Sequence, residues 1–309
     1  MTIGLDLGST QFRCLRRQGP RLIGRACAAA CLTLADTPAH RRLLERDAVR
    51  YVECDDQLLI VGEAALEWSR LLGIPVTPLL PDGRLSVSDP LSQDLIELIL
   101  EATVPMASVL GELCCLTVPG ELMPADAGPE REFLLPLIRR RGYRAMTIGQ
   151  GFAVVLAELG QSRYCGVGIS LGASQCEFAL AHSGREIARC TIPWGASDLP
   201  AAVAGDEEPH EAHPLLTDFL VELLLEAGER IDQHDGFRVL SQPVSLACAG
   251  GLTAIRGFEQ ILQQAWRRAA WPIRLRSIHL ASDRVYTVAR GCLIQATLEA
   301  EAAALKSAA

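Results

Sequence analysis

Three short turns of small residues are where this chain could do chemistry. Asp6-Leu7-Gly8-Ser9-Thr10-Gln11 follows the apolar run Ile3-Gly4-Leu5. Ser170-Leu171-Gly172-Ala173-Ser174-Gln175 follows Val167-Gly168-Ile169. Ala249-Gly250-Gly251-Leu252-Thr253 follows Val244-Ser245-Leu246-Ala247. Small residues let backbone N–H groups approach an anion closely, and free N–H groups in tight turns hold phosphate. One such turn says little. Two at the heads of separate halves, with a Gly-Gly turn opening a helix, predict a nucleotide held between two lobes.

The elements that must position these turns follow from pattern and punctuation. Strands are expected at 1–7 and 12–17 around the first turn, and at 165–170, 176–181 and 186–192 around the second. A strand at 244–247 leads into the third. Residues 18–57 are rich in Arg and Ala and read as a small subdomain with a helix near 39–45. A strand at 58–61 and a helix at 63–72 come next, ended by Gly73 and Pro75, and Pro81-Asp82-Gly83 is a turn. Asp89-Pro90 starts a helix that runs to about residue 102, an N-cap followed by proline at the first helical position. Further strands are expected at 114–118, 145–148 and 273–275, and further helices at 130–141, 151–159, 215–231, 256–268 and 284–305. Strand pairs followed by strand–helix units in each half point to an α/β fold with two related lobes.

Composition narrows the function classes. The 309 residues suffice for two lobes, with 49% hydrophobic and 21% charged residues. The net charge of −8 argues against nucleic acid as a partner, because phosphate backbones are bound by basic surfaces. The eleven cysteines include no Cys-x-x-Cys pair and read as buried, reduced thiols. No basic segment followed by an apolar stretch precedes the first strand, and no run is long enough to span a bilayer, so a cytoplasmic protein is expected.

Taken in order, the three turns and their flanks resemble the actin-like ATPase superfamily, and within it the MreB-like cell-shape proteins. Gly4–Thr10 resembles the first phosphate loop and Ile169–Leu180 the second phosphate loop with its hairpin. Ile60–Ala65, the Pro78–Gly83 turn and the helix after it resemble the family's strand, helix and turn between them, and Leu116–Pro119 with Glu130-Arg131 resembles its Val-Pro and Glu-Arg segment. Gln150-Gly151-Phe152-Ala153 resembles the first connection between lobes, Ala249–Phe258 the adenosine loop, and Val288–Gly291 the start of the last helix.

The resemblance implies a two-lobed actin-like ATPase fold with a nucleotide cleft between lobes. Lobe I would be 1–160, lobe II 161–284 with a reduced insertion at 193–243, and 285–309 a C-terminal helix returning to lobe I. Asp6 would hold magnesium through water. Gly8, Ser9, Thr10 and Gln11 would cradle the terminal phosphates of ATP or ADP, and Gln150 would orient the attacking water. Ser170, Gly172, Ala173 and Ser174 would contact phosphate from the other lobe, and Gly250 and Gly251 the nucleoside. Phosphoryl transfer needs a metal, charge stabilisation and a positioned nucleophile, and this set divides those tasks. Ser170 stands where the family has a carboxylate, and Leu252 where it has a glycine. The function implied is therefore an ATP-binding protein, slow or defective in hydrolysis, that organises a bacterial cytoskeleton or envelope. It would act through protein partners or self-association. A scaffold that binds no nucleotide, and a small-molecule kinase with a base near Asp198, remain as alternatives.

Other clusters have plainer readings. Gly168–Gly172 matches the nucleophile-elbow pattern, but that motif needs a helix straight after the serine and a strand is expected there. His210-Glu211-Ala212-His213 has metal-ligand residue types within an acidic loop. Trp266-Arg267-Arg268 and Trp271–Arg274 suit either peripheral membrane contact or a helix end with arginines at its C-terminus. The apolar residues of 104–110 suit either a membrane-touching loop or the core.

Overall fold

The computed structural model describes residues 2–119, 128–200, 209–232, 243–271 and 273–308. Strand β1 (Ile3–Leu7) is buried along its whole length, as a central strand covered on both faces must be. It pairs antiparallel with β2 (Gln11–Gln18) and parallel with β8 (Glu112–Leu116). With β3 (Arg21–Ala28) and β9 (Tyr143–Thr147) these form a five-stranded sheet in the order β3-β2-β1-β8-β9. The second sheet repeats this plan. Its central strand β10 (Gly166–Leu171) pairs antiparallel with β11 (Cys176–His182) and parallel with β13 (Val244–Gly250). Adding β12 (Arg185–Ile192) and β14 (Leu275–Leu280) gives the order β12-β11-β10-β13-β14. Each half is thus an antiparallel meander on one side of a central strand and parallel strands on the other.

A third sheet joins β4 (Ala30–Ala35), β5 (Tyr51–Cys54), β6 (Gln57–Val61) and β7 (Thr77–Pro78) in the order β5-β6-β4-β7. Its own small core, including Leu32, Leu34, Leu58 and Ile60, is closed by Leu44 of α1 (Pro38–Arg46) and Trp68 of α2 (Glu63–Leu72). This corrects the expected subdomain at 18–57. Arg21–Ala28 belongs to the first sheet, paired with β2 from Gln18↔Arg21 to Gln11↔Ala28. As an edge strand it exposes Arg21 and Arg25 to solvent, which hides its strand character in the sequence. Among the described residues, no comparable small sheet accompanies the second half.

Helices cover the sheets. Helix α3 (Pro90–Thr103) starts at Asp89, whose carboxylate accepts from the amides of Leu91 and Ser92. It packs with α4 (Pro129–Arg140) on the first sheet. Helices α6 (Pro209–Asp232) and α7 (Phe258–Arg268) pack on the second. Between the halves lie α5 (Gln150–Glu158) and α8 (Thr287–Ala308), in a separate core with Cys115 of β8, Ala179 and Ala181 of β11 and Ala247 of β13. Two glycines permit this packing. A Cβ at Gly291 would stand 1.9 Å from the Ala153 carbonyl oxygen, and one at Gly4 would stand 2.0 Å from that of Ala289.

Two further expectations shift. The last strand is Leu275–Leu280 rather than 273–275, because Ile273 and Trp271 turn into the core while the polar Arg276, Ser277 and His279 sit on an edge strand. Trp266 and Trp271 pack with ring centroids 4.4 Å apart, and their indole N–H groups donate to the carbonyls of Ile273 and Leu224. Both indoles are thus buried in the core of the second half. In 104–110, Val104 is core, whereas Met106, Val109 and Leu110 are exposed. No helix among the described residues is long and apolar enough to cross a membrane. Helix α6 begins at Pro209, so 209–213 is helical rather than loop; residues 201–208 and the side chains of His210, Glu211 and His213 lie outside the described residues. Gln175 leads into β11, not a helix, which excludes the nucleophile elbow.

Candidate functional site

The two phosphate-type turns are built alike. Gly8 N–H donates to the Gln11 carbonyl at 3.1 Å, and Gly172 N–H to the Gln175 carbonyl at 3.0 Å. Each turn therefore closes its hairpin with one hydrogen bond across four residues. In the second turn the carbonyls of Gly172 and Ala173 accept from Ala196 and Ser197. A trans peptide sets its N–H opposite its C=O, so the amides of Ala173 and Ser174 face away from that support. Among the described residues, nothing pairs with the amides of Ser9, Thr10, Ala173 or Ser174.

The turns meet at one cavity of about 340 Å³ between the halves. Asp6, Gly8, Ser9 and Thr10 line it from the first half; Ser170, Gly172 and Ala173 line it from the second. Gln150 enters from the start of α5, and Gly250 and Gly251 from the end of β13. Gly250 has φ +120°, and a Cβ there would stand 2.0 Å from the Leu171 carbonyl oxygen, so only glycine fits. A Cβ at Gly251 would meet nothing within 4 Å. Gln11 and Ser174 do not line the cavity. Gln11 opens β2, and Ser174 packs against Gly83 of the Pro81–Gly83 turn, across the two halves.

Several functional groups carry no motif signal. Arg13 on β2 lines the cavity and its Nη1 donates to Asp6 Oδ2 at 3.0 Å. Thr117 Oγ donates to the other oxygen, Oδ1, at 3.3 Å. Burial pushes the Asp6 carboxyl up from its ordinary value, outweighing Arg13 and Thr117, which pull it down. Arg284 and Val285 line the cavity from the loop before α8. That loop is pinned to the end of α5 by Glu158, which accepts from Ser282, Thr287 and Arg290, the last at 2.6 Å.

Glu177 sits behind the cavity. It is fully buried on β11 and accepts from the Gly151 amide at 2.9 Å, capping α5 and so placing Gln150. Burial pushes its carboxyl up to about 7, against the pull of Arg189. Ser170 Oγ donates to Gln150 Oε1 at 3.1 Å, tying the amide to the second half. Asp198 is engaged elsewhere: its carboxylate accepts from the Gly195 amide at 2.7 Å, so it is not presented to the cavity as a base.

The family model of Volactin matches residues 1–230 and 213–296. The chain belongs to the Volactin family. No curated protein matches it. The architecture of this Volactin-family chain is nevertheless that of the actin-like ATPases, as the sequence resemblance implied. MreB 5 of Spiroplasma citri bound to AMPPNP is 14% identical with a TM-score of 0.62, covering 99% of this chain and 97% of that one. The MamK double helical filament is 14% identical with a TM-score of 0.62, covering 96% and 98%. The apo ParM protein of psk41 is 14% identical with a TM-score of 0.57, covering 97% and 98%.

The residues present fit the phosphates of a nucleotide better than they fit its magnesium ion. Unpaired amides from two turns, an arginine and the open space at Gly251 form a cradle for phosphate. For a divalent cation, Asp6 is the one carboxylate on the cavity wall among the described residues, and both its oxygens are engaged. Among the described residues no three of His, Cys, Asp and Glu converge on a metal position. Arg13 and Thr117 thus occupy the carboxylate oxygens to which the resemblance assigns water-held magnesium.

Proposed function

We propose that this chain is an actin-type nucleotide-binding protein that assembles with copies of itself, works in the cytoplasm and hydrolyses nucleotide slowly or not at all. The observation that carries the reading is the shared cavity, where amide-bearing turns from both halves converge with Arg13. A ligand bridging them favours the closed arrangement of the halves, and self-association reads that population shift. The proteins of like fold include one described as a double helical filament, which supports self-association.

Slow hydrolysis rests on Ser170 and Gln150. Their side chains are hydrogen-bonded to each other, and a hydroxyl replaces the carboxylate that would polarise a water there. That replacement also favours a second reading, a scaffold that keeps the fold and binds no nucleotide.

Sedimentation with and without AMPPNP separates the two. Gly251→Trp supplies the control, because Gly251 lines the cavity and a Cβ there meets nothing within 4 Å among the described residues; its melting midpoint shows whether it folds. The first reading expects AMPPNP to shift wild type into larger species and to leave Gly251→Trp unchanged. Identical sedimentation of wild type with and without AMPPNP would favour the scaffold.

A further inference from the structure

We propose that the cavity takes its nucleoside phosphate as a metal-free anion, with Arg13 and Arg284 supplying the positive charge that a divalent cation supplies in other phosphate sites. This rests on the nucleotide reading above and sharpens it.

Charge is the first argument. Among the described residues, the wall of the cavity carries one carboxylate, Asp6, and two guanidinium groups, those of Arg13 and Arg284. The Arg13–Asp6 pair cancels and leaves Arg284, exposed and with no ion-pair partner among the described residues. The described lining of the cleft therefore carries a net positive charge, which draws in an anion and repels a cation.

Oxygen supply is the second. Magnesium demands six oxygens near octahedral geometry, and proteins hold it through one or two carboxylates besides phosphates and water. Asp6 accepts from Arg13 and from Thr117. Gln150 and Ser170, the neutral oxygens nearest in role, are bonded to each other. To recruit a hydrated cation, the site would have to break an ion pair whose carboxylate is 4% exposed and leave that buried charge to be rematched.

Donor geometry is the third. Arg13 uses Nη1 on Asp6, and its Nε is buried with no partner among the described residues. A planar guanidinium has five donors in a fixed fork suited to phosphate oxygens, so Arg13 can hold Asp6 and a phosphate together. Its unpaired Nε is a cost in the empty protein that reorientation towards a bound phosphate removes.

The test is calorimetric titration of AMPPNP and ADP into wild type, once with millimolar magnesium and once with EDTA. The proposal expects dissociation constants within about threefold of each other, because no protein group is added to the ion's shell. It expects Arg13→Lys, which keeps the charge but loses the fork, to weaken binding about tenfold in both buffers. Arg13→Gln should weaken it further; its melting midpoint shows whether it folds. Binding in magnesium that disappears in EDTA would overturn the metal-free site and leave the nucleotide reading standing. No binding in either buffer would overturn both.

Discussion

At the scale of single residues, the site is more than its glycines. Asp6, Gly8, Ser9 and Thr10 were legible because small residues directly after an apolar run end the strand and suit a tight turn. Arg13 was not, since an arginine in Phe12-Arg13-Cys14-Leu15 reads as the solvent face of a hairpin. Only the pairing of β2 with β1, which sets Arg13 opposite Asp6, shows it to be a partner. Glu177 did leave a signal, as the one charge in Cys176–Ala181, a strand otherwise apolar and buried on both faces. Its chemistry gives a pH-dependent prediction. The folded chain keeps the Glu177 proton up to about pH 7, whereas the ordinary value is 4.5. Its stabilising share is thus complete below the ordinary value and is lost as pH rises through about 7. Glu177→Gln keeps an acceptor for Gly151 and cannot ionise. Urea titrations at pH 5 and pH 8 should show wild type losing on the order of 2 kcal/mol more than Glu177→Gln across that interval. Equal losses would mean that Glu177 does not titrate as its burial implies.

At the scale of elements, what positions the site is the crossing of α5 and α8. Residues 150–156 of α5 are buried without a polar face, which marks a helix enclosed by other elements rather than one lying on a surface. Its Gln150 end is capped from the second sheet by Glu177, and its other end is tied to the cavity loop before α8 by Glu158. Gly291 is the point of closest approach. Gly291→Ala should destabilise the fold by about 1–3 kcal/mol, since the new methyl would meet the Ala153 carbonyl. It should also weaken nucleotide binding by spreading the cavity walls. A denaturation midpoint unchanged from wild type would show that the helices separate without cost. Sequence pattern located both helices to within a few residues, because apolar periodicity and caps are local. The edge strands β3 and β14 were misplaced or missed, because charge on an edge is set by which neighbours a strand lacks.

At the scale of the whole molecule, the two five-stranded sheets have one plan, and their central strands deliver the two phosphate-type turns to one cavity. The order of the three turns along the chain made that duplication legible, and it is what the resemblance to actin-like ATPases rested on. The smaller architecture was not legible. The third sheet closes through Pro78, pairs too short for periodicity to show. The packing of Ser174 on Gly83 likewise joins residues about 90 positions apart, with nothing local to announce it. The central claim is that a nucleotide sits between these turns. Amide hydrogen exchange, with and without AMPPNP, tests it most directly, because the unpaired amides of Ser9, Thr10, Ala173 and Ser174 should be fast in the empty protein. The account predicts that AMPPNP slows exchange in 8–11, 172–175 and 250–252 together. Protection confined to one turn, or absent from all three at saturating AMPPNP, would contradict it.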